Sequence, residues 1–107
     1  MVGAAALVAC GGTNTNGPIV AEVVASPDGP ILRLTNAADE ALGDCYVAVN
    51  RHEGGYLRLG AVDFSIGSAV ELSATEFANS RREHPIRFHS VLVNCPDFGV
   101  FDINLPE

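Results

Sequence analysis

The chain has 107 residues, with six Lys and Arg against 13 Asp and Glu and a net charge of −7. That balance argues against nucleic acid as a partner, because phosphate contacts need clustered Lys and Arg, and against a polybasic membrane-surface contact. The length suffices for one domain and not two, and a domain this small buries only about 60–65% of its unfolded surface, so a covalent staple is expected.

In chain order, residues 2–9 form a short apolar run, far below the ~20 residues that cross a bilayer. An apolar first strand is disfavoured there, because Ala-rich segments make poor strands. The run ends in Leu7-Val8-Ala9-Cys10, and polar Thr13-Asn14-Thr15-Asn16-Gly17-Pro18 follows. Leu7-Val8-Ala9-Cys10 resembles the lipobox of bacterial lipoprotein precursors. There, small residues admit a peptidase just before a cysteine whose sulfur is lipidated. The resemblance implies a signal peptide over 1–9, a lipid anchor at Cys10 and a place in the cell envelope, periplasmic or outer-surface. No Lys or Arg occurs in residues 1–9, whereas a signal peptide opens on positive charge, so the true start is expected upstream. Residues 10–18 then read as lipidated cysteine and flexible tether, spanning ~15 Å on average.

Three cysteines make an odd set. If lipid occupies Cys10, then Cys45 and Cys95 remain as a pair in an oxidising compartment and are expected to form a disulfide. Such a bridge is worth roughly 4 kcal/mol in the chain-entropy model.

Over 19–107 the apolar residues come in runs of four to eight, rich in Val, Ile and Phe, with Gly, Pro, Asn and Asp between them. This is the pattern of an antiparallel sandwich or barrel. Strands are expected over 19–25, 31–36, 45–50, 56–62, 69–72, 86–95 and 98–105, seven in all. Ser26-Pro27-Asp28-Gly29 is a turn, since proline fixes φ and glycine accepts positive φ. Alternation places Leu32 and Leu34 inward, Cys45, Val47 and Val49 on one face, Leu57 and Leu59 on one face with Arg58 on the other, and Phe101, Ile103 and Leu105 inward. The 74–78 stretch reads as one helical turn with Phe77 as a buried plug. The 86–95 segment has conflicting parity, with Phe88 and Leu92 on one face and Val91, Val93 and Cys95 on the other. A bulge near Ser90, or cover on both faces, would reconcile them.

The succession Leu34-Thr35-Asn36, Val47-Ala48-Val49-Asn50, Tyr56-Leu57, Gly67-Ser68, Glu76-Phe77 and Val93-Asn94-Cys95 resembles a pattern in small bacterial exported proteins. The resemblance implies an immunoglobulin-like or fibronectin-like sandwich, a class mostly without assigned activity. No Trp is present to pack on the cysteine pair as in true immunoglobulin domains.

Catalysis is not expected. Ser80 or Ser90 with His84 or His89 and Asp97 or Glu83 lack a Gly-x-Ser-x-Gly elbow, and no cofactor motif is present. Gly11-Gly12 and Gly54-Gly55 are not followed by the Lys of a phosphate loop. The competing function is a zinc- or copper-binding protein using His84, His89 and Asp97, whose imidazole and carboxylate donors suit those ions. Asp39, Glu40 and Asp44 lack the regular spacing of a calcium loop. The leading expectation is a non-enzymatic interaction or accessory module, with the membrane as one partner through Cys10 and an envelope protein as another. Tyr56, Arg81 and Arg82, in loops at one end of the sandwich, are the candidate contact residues, because Arg and Tyr are favoured at interfaces.

Overall fold

A computed structural model describes residues 13–105; the expected signal peptide (1–9) and Cys10 lie outside the described residues. The described chain is all-β, with two antiparallel sheets and two 3-10 turns. Ten strands form where seven are expected: β1 (Thr13–Asn16), β2 (Ile19–Val24), β3 (Ile31–Asn36), β4 (Leu42–Val49), β5 (Tyr56–Arg58), β6 (Val62–Phe64), β7 (Ala69–Ser73), β8 (Phe77–Ala78), β9 (Ser90–Cys95) and β10 (Gly99–Asn104). The smaller sheet has the order β1-β2-β3-β7. The larger has β10-β9-β4-β5-β8, with β6 also on β4.

The core lies between the sheets. Alternation along β2, β3, β4, β9 and β10 sends Ile19, Ala21, Leu32, Leu34, Cys45, Val47, Val49, Val91, Val93 and Ile103 inward, as the period of two requires. Phe77 is fully buried and meets Phe88 edge-to-face at 5.7 Å. Ahead of it, the Ala74–Glu76 turn is held by the Ser73 N–H donating to Glu76 Oε2 at 2.8 Å. Cys45 and Cys95 are joined as a disulfide and fully buried. They sit one pair beyond the Tyr46↔Asn94 register of β4 and β9, so the bridge lies within one sheet. Immunoglobulin domains instead tie their two sheets together.

Part of the expected tether is a strand. Thr13–Asn16 pairs with β2, and the two-residue loop Gly17-Pro18 turns the chain. Gly17 has φ +60, at the first loop position, where hairpins place glycine. A Cβ on Gly17 would stand 2.7 Å from the Phe101 ring, so the hairpin packs tightly on β10. The Asn14 Nδ2 donates to the Asn104 carbonyl, and the Asn16 Nδ2 to the Asp102 carbonyl at 2.9 Å. These two amides join the edge of the smaller sheet to the edge of the larger and cover backbone acceptors that an open edge would expose.

The expected 56–62 strand breaks after Arg58. Gly60 takes φ +87, and the Arg58 guanidinium donates to the carbonyls of Leu59 and Gly60 and to Glu76 Oε1. With its charge met there, Arg58 takes the half-buried side, and Leu57 and Leu59 are the side chains that face solvent. The 86–95 segment is strand only from Ser90, which removes the parity conflict. Pro85 has no N–H, and the Asn50 side chain takes the hydrogen bonds of 87–89: Nδ2 donates to Arg87 O and Oδ1 accepts from His89 N–H, both at 2.7 Å. Asn50 itself, just past β4, holds the left-handed backbone at φ 55, which Asn tolerates better than most residues. Asn36 plays a similar part at the end of β3. It is fully buried, accepts from Ala38 N–H at 2.8 Å and donates to Glu40 O at 2.9 Å.

Candidate functional site

The outer face of the larger sheet carries several exposed apolar side chains at its β4–β5–β8 side. Register aligns Asp102, Leu92, Ala48, Leu57 and Ala78 across β10, β9, β4, β5 and β8, and Val100, Asn94 and Tyr46 across β10, β9 and β4. Tyr46, Leu57, Leu59 and Val100 are each about half or more exposed, Leu59 the most at 79%. Contiguous exposed apolar surface of this kind marks binding sites more often than chance does.

At one end this face runs into a cleft of about 790 Å³ whose walls include Ala48, Tyr56, Leu57, Leu59, Arg82 and His84. Loop 79–84 forms one wall through a compact turn. Asn79 Oδ1 accepts from the N–H groups of Arg81 and Glu83 at 2.9 Å, its Nδ2 donates to Glu83 Oε1 at 2.9 Å, and Arg82 takes φ 64. His84 Nδ1 lies 2.7 Å from the Phe77 carbonyl. A carbonyl can only accept, so Nδ1 carries the proton and the imidazole caps the outer edge of β8. Loop 50–55 supplies the opposite wall. Its 3-10 turn Arg51–Glu53 is followed by Gly54 and Gly55, both at positive φ.

Tyr56 and Arg82, taken from the sequence as contact residues, therefore line one cleft, and Arg81 is exposed beside it. His84, His89 and Asp97 are not gathered. His84 is engaged at Phe77, His89 Nε2 is 3.5 Å from Glu53 Oε2, and Asp97 lies in the exposed β9–β10 turn. Among the described residues no three His, Cys, Asp or Glu side chains converge as a metal site would require. Of the serines considered, Ser90 is buried and Ser80 lies on the cleft wall.

The sequence conceals how the cations are distributed. Loops 50–55 and 79–89 are far apart in the chain, but Asn50 ties them together at Arg87 and His89. Together they hold four of the six arginines (Arg51, Arg81, Arg82, Arg87), all three histidines and two of the 13 acidic residues (Glu53, Glu83). With neutral histidines the two loops carry +2 and the rest of the chain −9. Arg51 pairs with Asp102 at 3.5 Å. Arg81, Arg82 and Arg87 enter no ion pair among the described residues. Elsewhere Arg33 is held between Glu71 at 2.6 Å and Glu22 at 3.5 Å; the hydrogen bond and charge of Glu71 raise its pKa above the usual arginine value.

The chain matches no family model, no curated protein and no solved structure.

Proposed function

We propose that this chain is an envelope lipoprotein, held at a bacterial membrane through acylated Cys10, whose sandwich serves as a non-enzymatic interaction module. Support for the anchor comes from Leu7-Val8-Ala9-Cys10 and from cysteine arithmetic. With Cys45 bonded to Cys95, Cys10 is the odd thiol, and acylation would consume it. A buried disulfide in so small a domain suits an oxidising compartment. The observation that carries the module reading is the apolar outer face of the larger sheet, with Leu57 and Leu59 exposed beside the Tyr56–Arg82 cleft. On this reading the likeness to immunoglobulin-like sandwiches is one of layering and of loops presented at one end, while the intrasheet disulfide is this chain's own.

Photocrosslinkers placed at Leu57 and Leu59 in the native envelope test the module. A discrete protein adduct at both positions, absent when the crosslinker sits at Ile66, is expected; adducts of equal yield at all three positions contradict it. A Cys10→Ala variant is expected to leave the membrane fraction, and its retention there contradicts the anchor.

A further inference from the structure

We infer that the loop end of the larger sheet, residues 50–55 and 79–89, rests on the anionic headgroup surface of the membrane that holds Cys10, with Ile86 at the contact and Arg81, Arg82 and Arg87 around it. The inference rests on the lipid-anchor reading above. Three observations carry it.

The first is where the chain enters the fold. β1 begins at Thr13, so Cys10 is only three residues away and its Cα lies within about 11 Å of that of Thr13. Asn14 is bonded to the carbonyl of Asn104, and Asn104 lines one small cavity together with Asn50, His52, Glu53 and His89. Leu105 N–H donates to His89 O at 2.9 Å. The anchor therefore enters at the same end of the sandwich as the two loops, while the Gly17-Pro18, 65–68 and 96–98 turns lie at the far end of their strands.

The second is charge: the overall balance of −7 argues against a basic membrane contact, but the fold gathers four of the six arginines into these two loops. An anionic bilayer attracts cationic groups within about a Debye length, on the order of 8 Å at physiological salt. The two loops carry +2 with neutral histidines, but Asp102 neutralises Arg51 and Asp28 lies at the same end, so the attraction is local to Arg81, Arg82 and Arg87, while most of the remaining acid lies away from the contact. Three of the arginines there are unneutralised within the described residues.

The third is Ile86. It is 86% exposed, between buried Pro85 and exposed Arg87. An exposed aliphatic tip beside Arg87, in a loop that also carries Arg81 and Arg82, suits an interfacial contact, with the apolar group at the acyl boundary and the guanidinium groups among phosphates. In this pose Leu57 and Leu59 stand above the lipid on the upright sheet face, and the cleft between the two loops opens next to the membrane.

The chain contains no Trp, so an introduced one is an unambiguous reporter. The full chain, with Cys45 and Cys95 bridged, is coupled through the Cys10 thiol to maleimide-bearing lipid in phosphatidylglycerol–phosphatidylcholine vesicles, which supplies the tether without cellular processing. Ile86→Trp is expected to shift to the blue and to be quenched by brominated lipid several-fold more than Ile66→Trp, whose site is 62% exposed in the opposite turn. Unanchored Cys10→Ser protein is expected to bind the same vesicles weakly, losing roughly fivefold in affinity for each of Arg81→Ala, Arg82→Ala and Arg87→Ala, with circular dichroism confirming the fold. Equal quenching at both tryptophans, or none at Ile86→Trp, overturns the inference. Undiminished quenching on pure phosphatidylcholine overturns its electrostatic basis, and binding of Cys10→Ser protein to an acidic polypeptide in preference to anionic vesicles overturns lipid as the occupant. The mass of native Cys10 decides the anchor separately, so the two readings fail by different results.

Discussion

Replacing Asn50 with Ala should cost the domain about 3–4 kcal/mol. The residue is 3% exposed, and its amide makes two hydrogen bonds of 2.7 Å, to Arg87 O and from His89 N–H, with a third from Ser90 N–H at 3.4 Å. The two short bonds contribute about 1 kcal/mol each net, and stranding a partly buried backbone donor and acceptor adds about another 1 kcal/mol between them. Asn50 also holds φ 55 and ψ 44, a left-handed conformation that costs alanine about 1 kcal/mol. Against a total of about 5–15 kcal/mol for an ordinary domain, this is a large fraction, equivalent to a fall of about 15 °C in Tm. Urea denaturation followed by far-UV circular dichroism measures it. Asn50→Gly separates the two causes, because glycine accepts the backbone conformation but restores neither hydrogen bond; it should lose about 2–3 kcal/mol. An Asn50→Ala protein within 1 kcal/mol of the parent would refute the assignment of Asn50 as the clamp that joins the two loops.

Three other outcomes are expected. Removing the disulfide in a Cys45→Ala/Cys95→Ala protein should lower stability by about 4 kcal/mol, given the 50-residue separation and the loop-closure relation; a change under about 1 kcal/mol in urea titration contradicts this. Gly17→Ala should cost about 2 kcal/mol, since its Cβ would meet Phe101 at 2.7 Å with φ at +60, combining overpacking with backbone strain. Gly67→Ala, at a similar φ of +69 but with nothing within 4 Å of its Cβ, should cost less, and the reverse order in thermal melts contradicts the packing of β1 on β10. Leu57→Asp and Leu59→Asp should change stability by less than about 0.5 kcal/mol while abolishing the envelope crosslink, and a marked loss of stability would mean that the sheet face is structural.

Much of the fold is legible where one face of a strand meets the core and the other meets water. Alternation alone places Leu32 and Leu34, then Cys45, Val47 and Val49, and the Cys45–Cys95 pair is what remains once the lipobox resemblance sets Cys10 aside. Legibility fails where a side chain substitutes for a strand partner. Asn50 satisfies the backbone of 87–89 and Asn36 that of 38–40, which composition reads merely as polar loop. At Leu57-Arg58-Leu59 alternation separates the leucines from the arginine but does not say which side is inward, because a charge satisfied by Glu76 and two carbonyls lets Arg58 take the half-buried side. Thr13–Asn16 looks like tether because its strand rests on asparagine amides reaching the edge of β10 rather than on apolar alternation. The cleft is half visible: Tyr56 and Arg82 stand out by residue type. The basic end is not, because Arg51 and Arg87 are 36 positions apart in the chain and only the fold unites them.

The account turns most on the state of the three sulfurs. Intact mass spectrometry of the protein extracted from its native membrane, without reductant and after alkylation, measures all of them at once. The expected result is a chain beginning at Cys10, heavier by its acyl groups and lighter by two hydrogens for Cys45–Cys95, with no alkylated thiol. A chain whose Cys10 takes up the alkylating agent and carries no acyl group would contradict the account at its root.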